Sequence, residues 1–291
     1  LFPVVSMAGM AAVGTTFGPA ATAAFGVSAL AFHKLSVKGR SNGVTKDLKG
    51  KVCVVTGGSK GVGLETSIQL AEMGATVVIA APQATKEAAM AKVSERLEKH
   101  NITFVPLDVA DPNQILAFTN LIKTQFKTVD ILVNNAAIFN EKLETTNAGS
   151  EKTVGVNFLG HFQLTELLVP LLQQSTGRVV YVTCASHITA WKRDVVRNYF
   201  SPKVTEEDFH PNRQYGASKL GNILHVEMLK YRGGFSACSV NPGSCDTTIH
   251  ISDDADVPKE DVIDKMKTVI RQMSIKNAFE GSQSVVNCCV R

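Results

Sequence analysis

The segment Lys51–Thr56 (KVCVVT) carries an apolar run with no polar alternation, as expected of a strand covered on both faces. It passes directly into Thr56-Gly57-Gly58-Ser59-Lys60-Gly61-Val62-Gly63, and Leu64, Ile68 and Ala71 then recur with helical spacing until Gly74. The same alternation continues along the chain. Thr76–Ala81, Ile102–Leu107, Val129–Val133, Arg178–Thr183 and Phe235–Val240 read as further strands. A charged amphipathic helix is predicted over Thr85–His100. Asp111-Pro112 supplies an N-cap and a first-turn proline for a helix bearing Ile115, Phe118, Ile122 and Phe126.

Six β units alternating with helices predict an α/β fold, a Rossmann-type doubly wound parallel sheet flanked by helices in one domain, residues 46–291. The 291 residues are 44% hydrophobic and 19% charged, which excludes disorder, collagen-like repeats and coiled coil. The net charge of +4 resides in the first 50 residues, and the charge-balanced remainder excludes a nucleic-acid partner, which requires a basic stripe. Six cysteines without framework spacing point to a reducing compartment. Residues 1–32 carry no charge and are followed by Lys34, Lys38 and Arg40. They read either as a membrane anchor that leaves the body facing the cytoplasm or as a targeting segment. Residues 33–45 read as a linker, giving an N-terminal hydrophobic extension ahead of the domain.

A glycine-rich turn between a first strand and a first helix lets the backbone approach a pyrophosphate and offers it the helix N-terminus. Tyr215 and Lys219 are four apart in a helical stretch and share a face. An ammonium there is expected to lower the phenol pKa enough for acid–base work near neutrality. The histidines show no HExxH or paired spacing, and Cys288-Cys289 is not CxxC, so no metal site is predicted. With no Gly-x-Ser-x-Gly elbow, Ser186-His187 does not support a hydrolase triad.

TGGSKGVG, Asp108-Val109, Asn134-Asn135-Ala136-Ala137, Asn157, Tyr215-Gly216-Ala217-Ser218-Lys219 and Asn241-Pro242-Gly243 occur in an order that resembles the short-chain dehydrogenase/reductase family. GVNFLGHFQLTELL and YGASKLGNIL resemble its retinol-dehydrogenase-like branch, and fit a light-dependent pigment reductase less well. The resemblance implies a nicotinamide cofactor held by Thr56, Gly57, Ser59, Lys60, Gly61, Val62, Gly63, Asp108, Val109, Asn135, Ala136, Tyr215, Lys219, Pro242, Gly243 and Thr247. Asp108 has the alternative of a strand-end cap for the turn at Asp111. It implies Tyr215 as the proton-transferring group, Lys219 on the nicotinamide ribose and Asn157 positioning a water. A helix-face amide satisfied by backbone is the alternative for Asn157. Where the family places a serine, this chain has Cys184, with Ser186 two residues on as the other candidate. Ala80-Ala81-Pro82-Gln83 lacks the acid that selects NAD, and Lys60, or less directly Lys86, is a cation for a 2′-phosphate. NADP is therefore expected, with NAD the alternative.

Hydride exchange with an alcohol or carbonyl on a lipophilic small molecule is the implied activity. The altered Cys184 leaves a catalytically impaired, cofactor-binding regulatory protein as the second reading. The resemblance further implies a substrate wall over His187–Gln214 (with Trp191, Tyr199, Phe200 and Phe209) and a second wall after Gly243, while Ser252–Lys259 reads as an acidic loop, either a lid or plainly solvated. It implies a homodimer through the Asn157 and Tyr215 helices, for which Leu164, Leu167, Leu168, Leu171 and Leu172 offer a face unless they pack on the sheet. Ala278–Val290 reads as the helix before a last strand that does not follow, so the domain is expected to be C-terminally incomplete.

Overall fold

The computed structural model describes residues 45–190, 204–243, 245 and 276–291. The expected extension 1–32, the linker up to residue 44, the aromatics Trp191, Tyr199 and Phe200, Thr247 and the loop Ser252–Lys259 lie outside the described residues. Among the described residues no helix is long and apolar enough to cross a membrane.

Six parallel strands are laid out in the order β3-β2-β1-β4-β5-β6: β1 Val52–Thr56, β2 Thr76–Ala81, β3 Ile102–Pro106, β4 Ile131–Asn134, β5 Arg178–Val182 and β6 Ser236–Val240. The uninterrupted apolar runs follow from two-sided burial. Along β1, Cys53 and Val55 enter one core while Val54 enters the other. Along β5, Val180 and Val182 face the first core, and Val179 and Tyr181 the second.

The first core is closed by α1 (Gly61–Glu72), α2 (Lys86–Arg96) and α6 (Ala278–Val290). The second is closed by α3 (Pro112–Gln125), α4 (Gly160–Gln174) and α5 (Pro211–Lys230). Leu164, Leu168, Leu171 and Leu172 are buried in this second core with Leu167 packed against it, so these leucines cover the sheet rather than forming a free face. The expected start of α3 is realised: Asp111 accepts from the amides of Asn113 and Gln114, with Pro112 in the first turn.

The second helix is shorter than its charge pattern predicts. Gln83–Thr85 is a 3-10 turn, and α2 stops at Arg96 because Leu97 turns extended, at φ −130 and ψ 109, and packs on the first core. A long helix side chain would otherwise leave that apolar surface in water.

Candidate active site

Strand order reverses between β1 and β4, so the connections leaving their C-terminal ends diverge and open a crevice there. Three of the predicted groups meet at this edge.

The turn Gly57–Lys60 leads into α1, whose N-terminus points into the crevice with Lys60 exposed at the cap position. Gly57 adopts φ 60, and a Cβ on it would lie 2.7 Å from the Ala136 Cα. A Cβ on Gly63 would stand 2.3 Å from the Gly57 carbonyl and 2.4 Å from the Asn135 amide. The turn therefore packs flat against the end of β4 as a backbone cradle at the helix N-terminus, and a side chain at either position would collide with the protein itself.

The Thr56 side chain faces inward. It is fully buried, and its hydroxyl accepts from the amides of Asn135 at 2.9 Å and Ala136 at 3.1 Å. Asn135 returns the contact, donating from Nδ2 to the carbonyls of Thr56 at 3.0 Å and Gly57 at 3.3 Å. Ser59 and Val62 are buried beneath the turn. Asp108 and Val109 follow β3; Val109 is buried, while an Asp108 oxygen caps its own turn by accepting from the Ala110 amide at 2.8 Å. The capping alternative for Asp108 thus describes part of what its carboxylate does. Pro242 is buried and Gly243 adopts φ 87 beyond the end of β6.

The second group comes from α5. Tyr215 and Lys219 lie one turn apart, with the Lys219 Nζ 5.4 Å from the Tyr215 ring centre. Lys219 is buried and donates to the Val182 carbonyl at the end of β5 at 3.2 Å. Burial pushes its pKa down to about 8. The expectation that the ammonium depresses the phenol is not met in the free protein. Burial raises the Tyr215 pKa above its ordinary value, and the adjoining Cys184 raises it further. Desolvation of the phenolate outweighs a cation seated over the ring rather than at the oxygen.

The third group follows β5. Cys184 is a side chain that adjoins the Tyr215 hydroxyl. Ser186 lies in the 3-10 segment Ala185–Ala190, where its carbonyl accepts from Thr189 Oγ1 at 2.7 Å. Gly216, next to Tyr215, allows this segment to close on α5: a Cβ there would be 2.5 Å from the Ser186 carbonyl oxygen and 2.2 Å from Thr189 Oγ1.

Asn157 stands in a π-helical stretch, Gly155–Leu159, that runs into α4. Such widened turns recur at functional sites. Its side chain accepts from the Ile138 amide at 2.8 Å and donates to the Ile138 carbonyl at 3.0 Å and to Ser218 Oγ at 3.1 Å. The amide is satisfied by the Ile138 backbone and by Ser218, and its main-chain carbonyl faces a further partner.

That partner is His161, which motif reading passed over. His161 Nδ1 lies 3.0 Å from the Asn157 carbonyl, so Nδ1 must carry the proton. Nε2, 2.8 Å from Thr56 Oγ1, is then an acceptor and Thr56 the donor. Complete burial pushes His161 down to about 4, so it is neutral near pH 7. Ser218 Oγ donates to the Tyr215 carbonyl at 2.7 Å. A continuous chain of hydrogen bonds thus runs from Asn135 through Thr56, His161, Asn157 and Ser218 to the backbone of Tyr215. The signal was present, since Asn157 and His161 are four apart in a helical stretch. Phe139, edge-on to the Tyr215 ring at 5.6 Å, was also not anticipated. Among the described residues no group of three or more His, Cys, Asp or Glu side chains is arranged to hold a metal ion.

A family model described as short chain dehydrogenase matches residues 51–257. Human retinol dehydrogenase 11 is 34% identical over 205 residues, covering 69% of this chain and 63% of the relative. Mouse retinol dehydrogenase 11 is 32% identical over 248 residues, covering 84% of this chain and 74% of the relative. The match to the human protein therefore spans less than two thirds of that relative's length. The solved structure of salutaridine reductase from Papaver somniferum has the same fold, with a TM-score of 0.62 at 22% identity over 83% of this chain and 96% of that one. The chain belongs to the short-chain dehydrogenase family, in its retinol-dehydrogenase-like branch.

Proposed function

We propose that the protein is an oxidoreductase of alcohol and carbonyl groups, dependent on NADP(H) and acting on a lipophilic small molecule. The observation that carries this reading is the convergence of Tyr215, Lys219 and Cys184 at the crevice where the cradle of Gly57 and Gly63 opens. The cradle suits a dinucleotide: its floor is backbone, it lies at a helix N-terminus, and a Cβ at either glycine would collide. Gly57, Gly61 and Gly63 would face the phosphates, Asp108 and Val109 the adenine, and Lys219, with Asn135, Ala136, Pro242 and Gly243, the nicotinamide side. When bound, the nicotinamide supplies or accepts the hydride. Lys60, exposed beside the turn, and the absence of an acid at Ala81-Pro82 favour a 2′-phosphate.

Tyr215 holds a proton on its hydroxyl, and burial keeps it there in the free protein, so the phenol is set to donate to a carbonyl oxygen. Lys219, charged below about pH 8, stabilises the phenolate that results. Cys184 stands where a hydroxyl would hold the substrate oxygen more firmly, since a thiol is a weak donor. This thiol also favours a second reading, a cofactor-binding regulatory protein with impaired chemistry.

Retinoids, sterols and aliphatic aldehydes or alcohols, offered with NADH and NADPH and followed by nicotinamide absorbance, distinguish the two. Turnover that prefers NADPH and falls by roughly 10²–10⁴ in Tyr215→Phe is expected. Tight cofactor binding with no turnover across the panel would establish the regulatory reading instead.

A further inference from the structure

We propose that Cys238 on β6 and Cys288 on α6 are a peroxide-sensitive thiol pair, whose disulfide ties the C-terminal helix to the sheet. Neither residue belongs to the crevice.

Parallel pairing sets Arg178 opposite Ser236 and Val180 opposite Cys238. Val180 lies in the core that α6 covers, and Cys238 and Cys288 both pack against that core from its rim. The two side chains adjoin each other at that rim. Arg178 braces the same junction: Nε donates to Ser236 Oγ at 2.9 Å, and Nη1 donates to the Cys288 carbonyl at 2.8 Å. Strand and helix are thus held in register at the place where the sulfurs meet.

The two thiols are chemically unequal. The Arg178 guanidinium, bonded to the Cys288 carbonyl, stands beside Cys288, and with Arg291 it favours the Cys288 thiolate. Burial raises Cys238. This placement makes Cys288 the attacking thiolate and Cys238 the resolving thiol. Both are half-buried rather than sealed, unlike neighbouring Cys289 and Cys53, which are buried and held as neutral thiols.

In the reaction, the Cys288 thiolate attacks one oxygen of hydrogen peroxide, the O–O bond breaks, and hydroxide leaves a sulfenic acid. The Cys238 sulfur then attacks the Cys288 sulfur, its proton leaving with the sulfenic oxygen as water. Two thiols lose two electrons, and one peroxide becomes two waters. The structural consequence reaches α1, because Gln69 on α1 donates to Ser282 Oγ at 2.6 Å and accepts from Gln283 Nε2 at 2.8 Å.

The test treats the full chain with hydrogen peroxide, blocks remaining thiols, and maps unreduced peptides by mass spectrometry. A 2 Da loss localised to a Cys238–Cys288 cross-link, reversed by dithiothreitol, is expected. The melting temperature should rise by roughly 5 °C in the oxidised form. Cys238→Ser should halt at a Cys288 sulfenic acid captured by dimedone, and Cys288→Ser should give neither product. Both cysteines recovered as thiols after wild-type protein is oxidised, or a bridge to Cys289 instead, overturns the proposal without reference to any variant's folding.

Discussion

In the proposed reaction, two side chains at the crevice would set how far Tyr215 acts. Cys184 adjoins the Tyr215 hydroxyl in the free protein and would offer only a thiol to a substrate oxygen. Cys184→Ser is expected to raise kcat by roughly tenfold, and Cys184→Ala to lower it, read by steady-state turnover with the best substrate of the panel. No gain in the serine variant would show that the thiol is not what limits the reaction. Lys219 has an ordinary pKa of 10.5 that burial pushes down to about 8, so its charge is present at neutral pH and lost through pH 8. The pH profile of kcat/KM for carbonyl reduction should therefore fall with a limb near 8, and Lys219→Arg should move that limb beyond the measured range. A profile flat to pH 10 in the parent protein would remove Lys219 from the proton-transfer machinery. At the far end of the crevice, Lys60→Glu should weaken NADPH binding by more than tenfold while changing NADH binding little, measured by titration calorimetry.

Contacts between elements decide which atoms those residues meet. The pair Tyr215 and Lys219 was legible from i, i+4 spacing, because α5 is a regular helix there. The identity of the neighbour was not: Cys184 and Ser186 were both candidates, and Cys184 adjoins the phenol while Ser186 sits in the 3-10 segment Ala185–Ala190. That placement depends on Gly216. An added Cβ meets a backbone carbonyl, which does not swing aside like a side chain. Gly216→Ala is expected to shift the segment and lower kcat by about 10², since misplacement of about 1 Å is that costly. Circular dichroism should remain native, and activity within twofold of the parent would mean the segment is free to relax. The π-helical stretch at Asn157 was equally hidden, because nothing in GVNFL distinguishes a widened turn from an α-turn.

For the molecule as a whole, the buried polar chain links both ends of the crevice and couples stability to pH. His161 has an ordinary pKa of 6.5 and is pushed down to about 4 by complete burial. The unfolded chain therefore binds the proton that the folded chain refuses between those values. Stability from this group is fully present above pH 6.5, falls as pH drops toward 4, and amounts to about 3 kcal/mol over the window. His225, also pushed down by burial although Glu166 opposes the shift, acts in the same direction. Urea midpoints measured from pH 7.5 to 4 should fall steeply, and His161→Asn should be less stable at pH 7.5 but shallower in its pH dependence. An unchanged slope would assign acid sensitivity to other groups.

Sequence by itself determined the alternation of strands and helices, the two-sided burial of the sheet, the cradle at Gly57 and Gly63, and the Tyr215–Lys219 pair. Each is a local pattern: an apolar period, a backbone without Cβ, or a helical spacing. Tertiary structure alone decided that Thr56 faces inward, that Cys184 adjoins Tyr215, that the Tyr215 pKa is raised rather than lowered, and that Cys238 adjoins Cys288. Those outcomes depend on desolvation and on contacts between residues distant in the chain, which no local period encodes.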